Sequence, residues 1–358
     1  MTAALQVYAG PRARLHLRER GLAAGDVRVV PAAAGGPKGL VLNPLDRFIF
    51  GHWLAGSGHG VHLLGASIGA WRMAAACLPD PDAAFEQLAA DYLAQDYPHA
   101  PGKPPKAADV SRVFGAMLDG RFAGRGHEVL QHPRYHLHVL TSRGRHVLRR
   151  EGRLRAPLGY VGAFAANLVS RRALGGWIER VVFSDPREPL PFALHDYRGR
   201  QVDLTANNLC PSLLASCSIP FWLDAVHDIP GAPRGAYWDG GITDYNLRLD
   251  YAQMSQGLVL YPHFQAAVVP GWFDKGLRHR HAATAGLSNV VLLSPHPDWV
   301  RTALPNAKLP DRGDFKAYGE DLAGRQKAWA TAVAASQRLA DEFAALVQRP
   351  SIEALPLA

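Results

Sequence analysis

A chain of 358 residues with 48% hydrophobic and 20% charged side chains is equipped to bury a core, which excludes a disordered or fibrous protein. No apolar run is long enough to span a bilayer, and the start of the chain, with Arg12, Arg14, Arg18 and Arg20, lacks the apolar core of a secretory leader. The net charge of +8 favours anionic surfaces, but no zinc-finger, RRM or basic-zipper pattern accompanies it, so nucleic acid is not an expected partner.

Taken in order, Pro11 to Arg20 predicts a helix, with proline at its first position and Gly21 as its stop. Asp26 to Ala33 predicts a strand that runs into Ala34-Gly35-Gly36-Pro37-Lys38-Gly39, after which Leu40 to Trp53 reads as a helix. Such a loop presents backbone N–H groups to an anion. The order of a P-loop is missing, because Lys38 precedes Gly39 and Leu40. The same loop suits an oxyanion hole, with donors from Gly35, Gly36, Lys38, Gly39 and Ile68 but none from Pro37, which has no N–H.

Val61 to Leu64 predicts a buried strand and Ala70 to Cys77 a helix, so Gly65-Ala66-Ser67-Ile68-Gly69 falls on a strand-to-helix turn. Small residues at Gly65 and Gly69 suit a strained serine there, and the following helix N-terminus favours negative charge on an oxygen. Alone, the pentapeptide is also compatible with a passive glycine turn.

Further on, Pro81 to Tyr97 predicts an amphipathic helix, Pro98 to Lys106 a proline-rich connection, Val110 to Leu118 a short helix and Tyr135 to Thr141 a strand. His136 and His138 share a face of that strand; with no third ligand near, a polar face is expected rather than a metal site. The segment 143–172 joins an arginine-rich run, Arg143 to Arg155, to the apolar stretch Leu158 to Val169 and then Arg171 and Arg172. It reads as a core helix after a solvated loop or, less commonly, as a lid or membrane-facing insertion.

Ile178 to Phe183 predicts a strand, Thr205 to Cys217 a helix, and Gly257 to Tyr261 and Asn289 to Leu293 two more buried strands. Between them, Tyr237-Trp238-Asp239-Gly240-Gly241 could aim a carboxylate into a cleft, since Gly240 and Gly241 clear the space around it, although D-G-G is often only a turn. Apolar residues at three- and four-residue spacing over 314–347 predict C-terminal helices. Cys77, Cys210 and Cys217 are odd in number and lack metal-ligand spacing, which fits buried thiols in a reducing, cytoplasmic setting.

A glycine loop, a G-x-S-x-G serine about thirty residues later and a late D-G-G together resemble the patatin-like phospholipases, over roughly Val29 to Asn246. The segment Ser216 to Phe221 and Asn246 add to the resemblance, while Ala34, Lys38 and Leu247 depart from its pattern. The resemblance implies one α/β domain over 1–358, a three-layer sandwich with a central, mostly parallel sheet and a nucleophile elbow. It also implies Ser67 as nucleophile, Asp239 as its only base, the glycine loop as oxyanion hole, no metal or cofactor, and a lipid or other acyl ester as substrate. The net charge and the arginine-flanked stretch add peripheral contact with anionic membrane to the expected partners. Two alternatives stay open: a Ser-Asp-His esterase using a late histidine such as His296, and a lipid-binding protein without turnover.

Overall fold

The computed structural model describes residues 3–97, 99 and 103–357. In chain order its elements begin β1 (Leu5–Ala9), α1 (Pro11–Arg20), β2 (Val27–Ala32), a 3-10 segment Gly36–Leu42, α2 (Asn43–Phe48), β3 (Val61–Ala66), α3 (Ile68–Ala76), α4 (Pro81–Leu93), α5 (Ala107–Phe122), α6 (Gly126–Leu130) and β4 (Tyr135–Gly144). They continue with α7 (Arg155–Val169), α8 (Arg171–Leu174), β5 (Ile178–Ser184), β6 (Gly199–Asp203), α9 (Leu209–Cys217), β7 (Val226–His227), β8 (Ala236–Asp239) and α10 (Gly241–Asp244). The chain closes with β9 (Leu258–Pro262), β10 (Val290–Pro295), α11 (Pro297–Ala303), α12 (Gly313–Tyr318), α13 (Leu322–Ala335), α14 (Gln337–Leu346) and β11 (Leu355–Pro356).

The strands form one sheet in the order β11-β1-β10-β9-β2-β3-β4-β5-β6, with β8 on β4 and β7 on β8. Its centre, β10-β9-β2-β3-β4, is parallel, whereas β1, β5 and β8 join it antiparallel. This is an α/β architecture on a mixed, mostly parallel sheet.

Alternation along the strands sends neighbouring residues to opposite faces. Val30 and Leu63 join α2, α3, α4, α5, α9, α13 and α14 in the larger core, while Val29 and Leu64 pack with Phe192, Tyr251 and Phe264 on the other side. That second layer is built largely of irregular chain, with α7, α8 and α10 at one end.

The segment after the glycine loop is not the regular helix expected over Leu40 to Trp53. It starts at Gly36, runs through a 3-10 stretch and α2, and ends in a π turn, Ile49–Trp53. Pro37 and Pro44 each remove an N–H donor, which breaks the run into pieces. The helix expected to Tyr97 stops at Leu93, and Pro98 and residues 100–102 of the expected connection lie outside the described residues.

His136 and His138 are buried, so their strand face is an interior one and not a solvated polar surface. His62 Nδ1 lies 3.0 Å from His138 Nε2, and burial followed by the neighbouring His136 pushes His62 down to about 4. Among the described residues no group of three His, Cys, Asp or Glu could hold a metal ion. All three cysteines are free.

Candidate functional site

The register on β4 brings the site together. β3 runs along one edge of β4 until Ala66 stands opposite Leu140. β8 approaches along the same edge from the other direction and ends with Asp239 opposite Thr141. Two strands therefore finish head to head on adjacent residues of a third, and the residue after Ala66 is Ser67.

Ser67 Oγ donates to Asp239 Oδ2 at 2.6 Å across 172 positions of sequence. Both are nearly buried, at 4% and 6% exposure. Ser67 adopts φ 57° and ψ −130°, outside the conformations a side chain prefers, and it immediately precedes α3. Close packing holds this turn: a Cβ on Gly65 would lie 2.5 Å from Ala70 N and one on Gly69 2.0 Å from Ala32 O.

Gly240 occupies the junction of the two strand ends, where a Cβ would fall 2.2 Å from Leu140 O. The Gly241 N–H donates to Asp239 Oδ1 at 2.7 Å, so each carboxylate oxygen has one donor. Ser216 fills the remaining gap, accepting from the Ser67 N–H at 2.9 Å and donating to Leu140 O at 2.7 Å. Nothing in the sequence marked Ser216 out from its neighbours beyond its place in the Ser216 to Phe221 turn.

Burial pushes the Asp239 carboxyl above its ordinary value, against the opposing pull of the Ser67 hydroxyl, Arg312, the Gly241 N–H and Lys275. A carboxylate raised in this way holds a proton more firmly.

Ser67 opens onto two chambers. The smaller, about 290 Å³, is bounded by Gly35, Gly36, Asp239 and three cations, Lys38, Lys275 and Arg312. Lys275 is pushed down to about 8 by burial, then by Arg312 and Lys38, and its ammonium rests 3.9 Å from the Tyr245 ring centre. The larger chamber, about 870 Å³, is walled chiefly by Trp71, Tyr92, Phe114, Ile219, Leu223 and Phe315, with Ile68 beside Ser67.

Gly35 and Gly36 form the wall of the small chamber facing the serine, and among the described residues neither N–H has a hydrogen-bond partner. Gly36 has φ +57°, a left-handed conformation open to glycine. Lys38 also lines this chamber. Gly39 stands apart from it, because its Cα is turned against Ile68 and Arg72, and Arg72 is locked in a buried pair with Asp46 at 2.7 Å.

His296 is elsewhere. It caps α11 at the end of β10, three strands across the sheet from β3, with Nδ1 accepting from the Asp298 N–H. Asp239 meets Ser67 directly, without an imidazole between them.

No family model matches the chain, and no curated protein sequence matches it. Among solved structures it is similar to human GIVD cytosolic phospholipase A2, at 13% sequence identity and a TM-score of 0.45, over 92% of this chain and 61% of that one. The chain thus spans about three fifths of that protein's length, and a likeness of this degree carries no argument about activity.

Proposed function

We propose that this protein is a serine acyl hydrolase that cleaves carboxylic esters of lipids, as the resemblance to patatin-like phospholipases implies. The observation that carries the reading is the 2.6 Å hydrogen bond between Ser67 Oγ and Asp239 Oδ2, made where a cation-lined chamber meets a large apolar one. An ester lying across Ser67 would place its acyl chain against Trp71 and Phe114 and its polar end among Lys38, Lys275 and Arg312.

The chemistry follows from the groups present. Asp239 takes the proton of Ser67 Oγ as that oxygen attacks the ester carbonyl. The resulting alkoxide is met by the N–H groups of Gly35 and Gly36, with Ile68 at the start of α3 and Lys38 as further donors; each good donor is worth about 3 kcal/mol of barrier. Asp239 returns its proton to the departing alcohol, leaving an acyl-enzyme. Water, activated by the same carboxylate, then hydrolyses the acyl-enzyme and restores Ser67.

The test is covalent labelling. A fluorophosphonate should modify Ser67, and S67A should neither label nor hydrolyse a p-nitrophenyl acyl ester. Turnover surviving in S67A would remove the serine from the mechanism, and absence of both labelling and turnover in the wild-type protein would leave only a lipid-binding role.

A further inference from the structure

Helix α7 is inside out. At its inner face stand Ala156, Gly159, Tyr160, Ala163 and Asn167, all buried, with Tyr160 the one large side chain among them. Its large apolar side chains, Leu158, Val161, Phe164 and Leu168, point to solvent, with exposures of 44% to 70%. Their spacing is that of a single helical stripe, and Leu154 and Val169 extend it at either end. The core helix expected here is therefore not what the structure contains.

The inner face is firmly seated. A Cβ on Gly159 would meet the Leu148 side chain at 2.4 Å, and one on Gly162 the Trp177 ring at 2.5 Å. At the C-terminal end, Asp274 binds Asn167, Arg171 and Arg280 at 2.9 Å each, tying α7 to the loop that carries Trp272 and Lys275. The outward stripe is thus held rigidly in place.

The stripe continues toward the large chamber. Tyr160 of α7 contacts Phe221 edge to face at 5.6 Å, and Phe221 and Trp222 are themselves exposed. Trp222 is also part of the chamber wall.

The charge around this patch is predominantly positive, with Glu151, Asp224 and the Arg150-paired Asp228 the acids beside it. Arg149, Arg153, Arg155 and Arg172 are exposed at the two ends of the helix. The single acid of segment 143–172, Glu151, accepts a hydrogen bond from the Ala225 N–H. Arg143, although part of the same basic run, belongs to β4 and pairs with Glu179 at 2.6 Å, so it is no part of this surface.

We propose that α7, with Phe221 and Trp222, is a docking face for a lipid bilayer bearing anionic headgroups. Apolar side chains would enter the acyl boundary while the flanking arginines meet lipid phosphates and carboxylates. Two copies pressed face to face on this stripe would bring their arginine rims together, which is why a membrane is the assigned occupant. At 15 residues the helix is too short to cross a bilayer, and among the described residues no helix is long and apolar enough to do so. This inference stands whether or not Ser67 is a nucleophile, and it orients the chamber mouth toward the surface from which a lipid would enter.

Vesicle co-sedimentation tests it. Wild-type protein should bind phosphatidylcholine vesicles containing phosphatidylserine, weakly bind pure phosphatidylcholine vesicles, and lose affinity as salt is raised. L158E/F164E should abolish binding, and R153Q/R155Q should lower binding to the anionic vesicles by about tenfold. V161W should show a blue-shifted emission on adding anionic vesicles. Hydrolysis of a soluble short-chain ester by these variants should match wild type, so failure of docking and failure of the catalytic reading are separately visible. Undiminished binding by L158E/F164E, no vesicle binding by wild type, or a wild-type dimer that L158E/F164E converts to monomer would each overturn the proposal.

Discussion

The two chambers that meet at Ser67 differ in almost every physical respect. The small one is walled by the glycine loop, two carboxylates (Asp239 and Asp311), three cations and the rings of Tyr245 and Trp272. The large one is walled chiefly by apolar side chains from α3, α4, α5, α12 and the turn after α9, with Lys103, Glu320 and Arg325 also in its lining. The turns that bring Ser67 and Asp239 to the small chamber depend on close approaches at Gly65, Gly69 and Gly240 and tolerate no side chain there, whereas the large chamber depends on volume and should tolerate reshaping. One gathers charge, the other gathers apolar surface.

The sharpest way to break this division is at the point where the chambers meet. S67A and D239N should each lower kcat/KM on a p-nitrophenyl ester by about 10⁴-fold or more, as expected for groups acting as a unit. D239N should at the same time raise stability. The folded-state pKa of Asp239 lies above its unfolded value, so the native carboxyl contributes least once it is ionised, and stability falls as pH rises through the raised pKa. Thermal melts of D239N should therefore exceed wild type at neutral pH and converge with it toward pH 4. A D239N protein less stable than wild type at neutral pH would contradict the burial argument.

Next in size is a change confined to the apolar chamber. Val110 lines its wall, and V110W should cut turnover of a long-chain ester by about tenfold to a hundredfold while leaving a butyrate ester near wild type. Equal losses on both would mean that the large chamber does not hold the acyl chain.

The cations give a third, smaller effect. Arg312 and Lys275 both favour the ionised form of Asp239, so R312Q or K275M should move the acid limb of the kcat/KM profile to higher pH. Activity would then be lost first on the acidic side. An unmoved limb would show that these cations do not act on the group that sets it.

Smallest is S216A. Losing the hydroxyl bound to the Ser67 N–H should cost about 1–2 kcal/mol of stability, measured by denaturant melts, and lower turnover less than either S67A or D239N. H296A, in contrast, should leave kcat/KM within about twofold of wild type, as for a surface substitution away from the site.

The glycine loop and the two turns at the small chamber were legible in the sequence, because their demands are local, whereas Tyr245, Trp272, Lys275, Asp311 and Arg312 on its far wall were not. Gly65, Gly69 and Gly240 each meet backbone atoms and Gly241 meets the Asp239 carboxylate at close range, and such requirements leave a mark at fixed spacing. Asp239 was legible only through its pattern; the register that carries it to Ser67 involves pairings no local reading supplies. Gly39 shared the loop's appearance yet faces Ile68, since the 3-10 segment begins earlier than periodicity implied.

The large chamber was not legible at all. Its walls gather residues between 36 and 325 from distant parts of the chain, apolar ones such as Trp71 and Phe114 and charged ones such as Lys103 and Arg325, and no local pattern joins them. The same holds for the ion pairs Arg72 to Asp46 and Arg180 to Asp244, whose partners are separated by 26 and 64 residues. Helix α7 misled in another way: its apolar content suggested burial, and only the placement of small against large residues separates a core helix from an outward-facing one.

The head-to-head ending of β3 and β8 on adjacent residues of β4 has one more implication. The spacing between hydroxyl and carboxylate is ruled by a backbone ladder rather than by a loop that must close, so the pair exists before any ligand arrives. A one-residue insertion between Leu140 and Thr141 would push the two strand ends out of step and separate the pair, even though both side chains and every wall of both chambers would still be present.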